Sequence, residues 1–378
     1  MERMGPRAFG EAGDIGVQRG LAEFRAGRPV LIQAADGTVL AMPVDGASHD
    51  RIAAFAELTH PTPPRLLITA RRARVLGLDA PQPVLVELAA DDDATSVFAL
   101  AANDRVDRTI TATAAGPAAI AALELAKLAQ KLPALLLGVQ AASTAFDPPP
   151  VTVAAAAVAE FRRDLIRSLA IASEAQVPLH SGLITRFVVF RDAIGGAPVA
   201  IIVGKPDFSR PVPIRLHSAC LTGDVFGSRR CDCGDQLRLA LTCLEEAGGG
   251  VILYLEQEGR GLGLANKMRA YELQDAGLDT VDANHTLGFD DDERDYGAAA
   301  RMLELLGCRR VIMLTNNPDK LDGLADAGIE IFGRIALNTP INAHNRRYLA
   351  ALAKRAGHLR DDVLAGDGEA AVSESGPG

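Results

Sequence analysis

The chain has 378 residues, 48% of them hydrophobic and 23% charged, with a formal net charge of −9 at pH 7. This composition excludes a disordered chain, and the acidic balance argues against a dedicated nucleic-acid binder, which normally carries a basic face. The length suggests two or three domains, each able to bury a core.

The first segment, residues 1–147, is predicted to be a small α+β domain. Its expected elements are, in chain order, a helix over 16–26, a strand over 29–33, a hairpin turn at Asp36-Gly37, a strand over 38–43 and an Ala/Leu-rich helix over 116–131. Glu124, Lys127, Lys131 and Pro133 interrupt the apolar stretch 114–142, which favours a buried helix over a membrane span.

Residues 148–180 are predicted to be a proline-rich joint followed by a helix over 151–173. Residues 181–364 form the larger domain, which starts with strands that alternate as in an antiparallel sheet, over 184–192, 197–204 and 212–218. Strands over 250–256, 310–315 and 329–332 then alternate with helices over 235–247, 262–277, 294–306, 318–327 and 341–355. The expected fold class is α/β (mixed α+β), with a mixed sheet in the larger domain. Residues 365–378 are expected to be a disordered tail.

The densest chemical signal is a cluster of thiols spaced C-x10-C-x-C, formed by Cys220, Cys231 and Cys233. Thiolates suit zinc, and three protein ligands without an obvious fourth are typical of a catalytic zinc that also holds a water. Such a metal lowers the pKa of its water and polarises a target group. A closed structural site with His217 as fourth ligand, or unligated buried thiols, stays an alternative. Cys243 and Cys308 are expected to be core residues.

Two strand-to-helix turns are candidate anion sites. In Glu258-Gly259-Arg260-Gly261-Leu262-Gly263 the glycines let backbone N–H groups approach an anion, and the arginine can bind phosphate oxygens. The second turn runs from Thr315 to Lys320. There Asn317 as a helix N-cap, with Pro318 at the first helical position, is an equally good interpretation.

Two further features are ambiguous. The acidic run 290–295, which contains Arg294, is typical of a solvated loop, although it could hold magnesium. Tyr271 shares a helix face with Leu264 and Met268, so a core position is the default expectation.

Together these motifs resemble GTP cyclohydrolase II, the zinc enzyme that opens the guanine ring of GTP at the entry to riboflavin synthesis. The resemblance extends over residues 184–359. It rests on five motifs in the family's order: 215–234, Gln257-Glu258-Gly259-Arg260, Arg269-Ala270-Tyr271, the stretch from Ala283-Asn284-His285 to Asp292-Glu293-Arg294-Asp295, and Leu314-Thr315-Asn316-Asn317-Pro318.

The resemblance implies a zinc ion held by the three clustered cysteines, magnesium with the triphosphate, and a homodimer. Asp292 is then the proton acceptor, Arg294 the nucleophile toward the α-phosphorus, and Tyr271 a helper at the imidazole ring. The implied products are formate, pyrophosphate and 2,5-diamino-6-ribosylamino-4(3H)-pyrimidinone 5′-phosphate. The residues implied to line the GTP site are Arg215, Leu216, His217, Ser218, Ala219, Gln236, Glu258, Gly259, Arg260, Thr280, Thr315 and Lys320.

Elementary chemistry qualifies one of these roles. A guanidinium, with a pKa above about 12, is protonated and a poor nucleophile. Arg294 could attack only if Asp292 removes a proton, and stabilisation of charge in the transition state would explain Arg294 equally well.

One position departs from the family's pattern, because Ala219 stands where the family usually has Glu. This leaves open a related GTP-opening enzyme of another pathway, such as pyrimidine catabolism. A non-catalytic GTP-binding protein is a second alternative, against which the intact cysteines, Tyr271, Asp292 and Arg294 argue.

Residues 21–32 faintly resemble the start of 3,4-dihydroxy-2-butanone 4-phosphate synthase, a domain commonly fused ahead of GTP cyclohydrolase II. An active copy carries an acidic, magnesium-binding stretch after this strand, whereas residues 33–40 here hold Asp36 as their single carboxylate. We therefore expect a degenerate domain without synthase activity that serves dimerisation or stability. The charged N-terminal residues and the odd cysteine count predict a cytoplasmic protein. The acidic charge balance and the interrupted apolar stretch predict that neither a nucleic acid nor a membrane is a partner.

Overall fold

The computed structural model describes residues 10–140, 148–355, 357 and 359, and it divides into two compact units. The first unit comprises the described parts of Met1–Asp164, Arg260–Leu278 and Asp282–Glu293. The second comprises the described parts of Leu165–Gly259, Asp279–Val281 and Arg294–Gly378. Each unit contains a mixed sheet with helices, which confirms the predicted α/β (mixed α+β) class. The predicted domain boundaries stay a prediction, and the tail 365–378 lies outside the described residues.

The first half of the chain begins with a helix and a hairpin and continues with alternating strands and helices. Its elements are α1 (Ala12–Arg25), β1 (Val30–Ala34), β2 (Gly37–Pro43), α2 (His49–Thr59), β3 (Arg65–Ile68), α3 (Ala70–Val75), β4 (Val84–Glu87), α4 (Ala94–Ala102), β5 (Ala112–Ala114), α5 (Pro117–Leu128), β6 (Ala134–Gly138), β7 (Thr152–Ala154) and α6 (Ala155–Ser168).

The second half opens with strands and then alternates. Its elements are β8 (Ala170–Pro178), β9 (Ile184–Arg191), β10 (Val199–Gly204), β11 (Val212–Ser218), α7 (Cys233–Glu246), β12 (Gly249–Leu255), α8 (Leu264–Asp275), α9 (Thr280–Thr286), α10 (Gly297–Leu305), β13 (Arg310–Leu314), α11 (Asp319–Asp326), β14 (Glu330–Ile335) and α12 (Arg346–Arg355). A π-helical turn over Leu221–Val225 and a 3-10 turn over Glu258–Gly261 complete the set among the described residues.

The sheet of the first unit has, among the described residues, the strand order β5-β4-β3-β6-β2-β1-β7. Of the strand pairs that the described residues form in this sheet, β1–β7 is parallel and the others are antiparallel. The hairpin between β1 and β2 pairs Ala34 with Gly37, so its turn lies one residue earlier than predicted. The Asp36 carboxylate in that turn accepts a hydrogen bond from the backbone N–H of Ala118, 3.2 Å away, at the start of α5. This carboxylate therefore caps a helix.

The sheet of the second unit has, among the described residues, the order β14-β13-β11-β12-β10-β9-β8. β9 and β10 are antiparallel as predicted, but the prediction was wrong for β11, which lies parallel between β12 and β13. Four consecutive residues of β11, from Ile214 to His217, are buried, as is typical of a central parallel strand covered on both faces.

The prediction of a helix over residues 151–173 was also wrong at both ends. The helix α6 covers only its middle, since residues 152–154 pair with β1 and residues 170–178 pair with β9. The alanine-rich sequence here has no strong local preference, so pairing with neighbouring strands decides its conformation.

Of the two cysteines outside the cluster, Cys308 is a fully buried core residue, as predicted, whereas Cys243 is half-buried and packs against an apolar cluster. In the described part of the chain, no helix combines the length and the apolar character needed to cross a bilayer.

A buried arginine ties together three segments of the first unit. Arg72 on α3 donates hydrogen bonds from its guanidinium to the carbonyls of Ala99, Leu100, Asn103 and Thr286, at 2.7–3.0 Å. Three of these carbonyls lie at the C-terminal end of α4, where a cation is favourable; that of Ala99 also accepts from the backbone N–H of Asn103. Burial lowers the pKa of Arg72 to about 10.

We expect Arg72→Met to lower the free energy of unfolding by roughly 3 kcal/mol or more, because it leaves several buried carbonyls without their donor. Urea denaturation of the variant and the native chain measures this difference. Arg105→Met is the matched control, since the side chain of Arg105 is 95% exposed. Equal midpoints for the two variants would contradict the assigned role of Arg72.

Candidate functional site

The three clustered thiols meet in the second unit. Cys220 follows the end of β11, Cys231 lies in the next loop, and Cys233 begins α7. Their sulfurs all lie within 4.8 Å of one another, and the Sγ atoms of Cys220 and Cys231 are 3.7 Å apart. Thiolates that share one tetrahedral zinc at about 2.3 Å lie about 3.8 Å from each other. The donor set therefore fits a metal ion of this kind, and the predicted cluster is confirmed as a group that could hold a metal.

The thiols are packed tightly around a glycine. A Cβ atom on Gly223 would lie 2.9 Å from the sulfur of Cys231 and 3.0 Å from that of Cys220. Hydrogen bonding with the Cys220 thiol, together with burial, raises the pKa of Cys231 to about 11 and also raises the pKa of Cys233. Without a metal, this pocket therefore favours neutral thiols.

A carboxylate organises the turn that carries the first thiol. Asp224 accepts hydrogen bonds from the backbone N–H of Cys220 at 3.0 Å and from the hydroxyl of Tyr254 at 2.9 Å. The Nε2 atom of His217 lies 3.1 Å from the same carboxylate, and the rings of His217 and Tyr254 stack with their centroids 5.5 Å apart. This network fixes the backbone of Cys220 relative to β11 and β12. His217 bonds this carboxylate through Nε2, while its Nδ1 has no hydrogen-bond partner among the described residues.

The first glycine-rich turn contacts the thiol-bearing turn directly. The carboxylate of Glu258 accepts a hydrogen bond of 2.7 Å from the backbone N–H of Leu221. Gly259, Arg260 and Gly261 all have positive φ angles, and in Arg260 such a conformation is uncommon. The turn belongs to the class that brings backbone N–H groups close to an anion.

Cationic side chains lie near the thiols in the same unit. Burial is the main cause that lowers the pKa of Arg215 to about 10; the charge of Arg294 adds to this lowering, and Asp232 opposes it. One guanidinium nitrogen of Arg215 donates to the carbonyl of Leu314 at 3.0 Å, and another donates to Gln236. The Lys320 ammonium is also buried, and it donates to the carbonyl of Leu216 at 2.8 Å.

The second predicted anion turn lies at the end of β13. The side chain of Asn317 accepts from the backbone N–H of Asp319, the first residue of α11, at 3.0 Å, while Pro318 is the residue directly before the helix. The hydroxyl of Thr315 accepts from the backbone N–H of Asn317 at 3.0 Å and is buried. β11, β12 and β13 are parallel, so the residues that follow their carboxyl ends share one edge of the sheet, where open α/β sheets bind ligands.

Other predicted site residues of the second unit lie on β11, directly after it, or on α9. Ala219 is half-buried and donates its backbone N–H to Leu255 at 2.8 Å. The Ser218 hydroxyl and the Nε of Arg215 are buried, and in the part of the chain that the structure describes they have no hydrogen-bond partner. Thr280 begins α9.

Three predicted site residues belong to the first unit, namely Arg260, Tyr271 and Asp292. A guanidinium nitrogen of Arg260 donates to the carbonyl of Asp291 at 3.2 Å. Tyr271 is half-buried on α8, with the ammonium of Lys267 over its ring at 5.7 Å. The default expectation of a core tyrosine was wrong, because α8 buries Asn266, Lys267 and Ala270 instead, and Leu264 and Met268 are exposed.

The sequence reasoning missed Asp224, Tyr254 and Asp232. Asp232 accepts from the Gln236 amide and from the Thr339 hydroxyl, each at 2.7 Å, and so joins the loop between two cysteines to a distant segment. The position of Asp224, four residues after a thiol, was the one available signal for it.

Comparison with known proteins agrees with this geometry. A family model described as GTP cyclohydrolase II matches residues 170–336. GTP cyclohydrolase-2 of Azospirillum brasilense is 42% identical over 366 residues, which cover 92% of this chain and 95% of that protein. The riboflavin biosynthesis protein RibBA of Bacillus cytotoxicus is 53% identical over 161 residues, which cover 43% of this chain and 41% of its own.

A solved structure of RibBX, a two-domain 3,4-dihydroxy-2-butanone 4-phosphate synthase from A. baumannii, is 14% identical and covers 86% of this chain and 99% of its own. Its TM-score of 0.32 is too low for a structural argument. The Azospirillum relative, in contrast, matches almost end to end at high identity. The resemblance found in the motifs is thereby confirmed: the chain belongs to the GTP cyclohydrolase II family.

Proposed function

We propose that this protein hydrolyses GTP, releasing formate and pyrophosphate and leaving 2,5-diamino-6-ribosylamino-4(3H)-pyrimidinone 5′-phosphate for riboflavin biosynthesis. The observation that carries the proposal is the three-thiol cluster, which lies at the carboxyl edge of parallel strands beside buried cations. Family membership supports the same reaction.

Cys220, Cys231 and Cys233 would hold one zinc ion. A bound zinc supplies a water of lowered pKa and polarises the carbon under attack, which C8 of guanine requires because it is a poor electrophile. The chain itself orients the ligands: Asp224 holds the backbone of Cys220, and Gly223 leaves room for the sulfurs.

The triphosphate would bind to the cations of the same unit, accompanied by magnesium. Burial, with a smaller contribution from the charge of Arg294, lowers the pKa of Arg215, so an anion placed near both would stabilise the charged guanidinium. The buried Lys320 adds a third positive charge despite the overall charge of −9. Planar guanidinium groups also bind phosphate oxygens in pairs.

Arg294 is proposed to act at the α-phosphorus, with Asp292, two residues earlier in the chain, as its proton acceptor. In the covalent route a guanidinium nitrogen loses a proton to Asp292, bonds to the α-phosphorus and displaces pyrophosphate, and water later cleaves the N–P bond. In the electrostatic route Arg294 only stabilises the charge that develops on the phosphoryl oxygens. Tyr271 is proposed to assist at the imidazole ring.

The N-terminal segment is proposed to lack synthase activity, since Asp36 caps a helix and no further carboxylate lies within residues 33–40. A homodimeric assembly and a cytoplasmic location, both expected from the sequence, belong to the same proposal.

Incubation of the zinc-loaded protein with GTP and Mg²⁺ is expected to yield formate, pyrophosphate and the diaminopyrimidine in equal amounts. Each product is quantified separately. A protein that only binds GTP would give no product, and an enzyme of another pathway would give a different end product. Removal of zinc by a chelator should abolish formate release while circular dichroism keeps its native shape, because a catalytic metal is not needed for the fold. Unfolding on chelation would instead indicate a structural zinc.

Arg294→Ala is expected to slow pyrophosphate release by roughly 10²–10³-fold, the typical loss when a transition-state donor is removed. Arg294→Lys distinguishes the routes, because it retains the charge and should restore part of the rate if the role is electrostatic. Arg301→Ala, which removes a surface arginine paired with Glu304, is the control. Pyrophosphate release at the native rate in Arg294→Ala would exclude both routes.

Asp224→Asn is expected to weaken zinc binding about 10–100-fold, because carboxylates that orient metal ligands contribute to affinity to that extent. Competition with a chromophoric chelator measures the affinity directly, without an activity assay. Asp235→Asn serves as control, since that carboxylate pairs with Arg238 at the surface. An unchanged affinity would show that the turn holds Cys220 without the help of Asp224.

A further inference from the structure

The acidic segment 290–293, which contains Asp292, is held by side chains from the N-terminal segment of the same unit. The ammonium of Lys127, on α5, lies 2.8 Å from a carboxylate oxygen of Glu293 and 3.6 Å from one of Asp290. Lys127 and Glu293 are both largely buried, with side chains 13% and 14% exposed. This pair is therefore poorly screened by solvent, unlike an ordinary surface ion pair.

Two further N-terminal residues contact Asp290 at the start of the segment and Gly288 just before it. The Nε of Arg71 donates to a carboxylate oxygen of Asp290 at 2.8 Å. The hydroxyl of Thr69 donates to the carbonyl of Gly288 at 2.7 Å. Burial alone would lower the pKa of Lys127, yet Glu293 raises it overall, so the lysine is held in its charged form.

The same segment is joined to the glycine-rich turn. Glu293 donates its backbone N–H to the carbonyl of Arg260 at 3.1 Å, and its carboxylate accepts from the backbone N–H of Asp290 at 3.0 Å. A Cβ atom on Gly261 would lie 3.0 Å from the backbone of Glu293, so the two stretches are in close contact. Glu293 therefore connects Lys127, Asp290 and the Arg260 turn in one network.

The charge balance explains why this network is needed. Residues 290–293 are four consecutive acidic residues, whose carboxylates repel one another when the segment is compact. The carboxylates of Glu293 and Asp290 pair with Lys127 and Arg71, both from the N-terminal segment, and His285 lies 2.6 Å from that of Asp291. The guanidinium of Arg260 also contacts the segment, through the carbonyl of Asp291.

We propose that Lys127 and Arg71 are positioning residues of the GTP reaction, which fix segment 290–293 and thereby the place of Asp292. The N-terminal segment, predicted to have lost its own chemistry, then works as a part of the cyclohydrolase. The catalytic part of this inference rests on the proposed function.

The test compares Lys127→Met with Lys127→Arg and with Arg108→Met. Arg108 forms a comparable ion pair at 2.6 Å, but with Asp92, which belongs to the N-terminal segment. We expect Lys127→Met to lower kcat for GTP at least tenfold with KM changed less than threefold, and Lys127→Arg to recover most of the loss. Arg108→Met should keep the native kcat.

Hydrogen–deuterium exchange supplies a readout that does not depend on activity. Peptides covering 286–296 should exchange at least tenfold faster in Lys127→Met than in the native chain, and at the native rate in Arg108→Met. If Lys127→Met fails to fold, Arg71→Met is measured in the same way, because the side chain of Arg71 is 32% exposed.

The proposal requires both changes in the same variant. An unchanged kcat overturns it, and so does a lowered kcat with native exchange of 286–296. A native chain that shows no turnover of GTP would refute the proposed function instead, and exchange would then still decide whether Lys127 holds the segment.

Discussion

The candidate site depends on one packing constraint: three sulfurs must meet although ten residues separate the first from the second. β11 delivers Cys220 at its carboxyl end, and the start of α7 delivers Cys233. Between them Gly223 contributes no side chain, which is the condition for the sulfurs to lie within 4.8 Å of one another. The carboxylate of Asp224 and the carboxylate of Glu258 then hold the turn from two sides.

The cationic side chains near this cluster are fixed in place in a different way, by hydrogen bonds to the backbone. Arg215 and Lys320 are buried and donate to backbone carbonyls of neighbouring strands, so their positions are set by the parallel sheet itself. A site assembled in this way is preorganised, because the charges are already desolvated and oriented before a ligand arrives. The desolvation penalty of these charges is therefore incurred when the chain folds and not when a ligand binds.

The sequence was sufficient where local patterns carry the information. The thiol spacing predicted the cluster, and the alternation of strands and helices predicted the fold class. The sequence was insufficient where contacts with distant segments determine the conformation. Nothing in residues 212–218 indicates that this strand lies between β12 and β13. Residues 170–173 have a helical pattern, but they pair with β9 as a strand. Asp224 was missed because a single Asp in a turn has many ordinary uses. The sequence shows Lys127 as a charge that interrupts an apolar helix but does not identify its partner, although a buried lysine needs one.

The first unit is built from three separate stretches of the chain, so a truncation of the protein at residue 147 would divide it. Its apolar core combines Leu40, Leu66 and Leu136 with Leu262, Ala283, Leu287 and Phe289 from beyond residue 259. A chain that begins after the proline-rich joint would expose Leu262, Ala283, Leu287 and Phe289 to water. The free-energy cost of such exposure is about 25 cal/mol for each Å² of apolar surface. In this chain the C-terminal half therefore supplies apolar side chains to the core of the first unit, and the N-terminal half keeps those side chains from water.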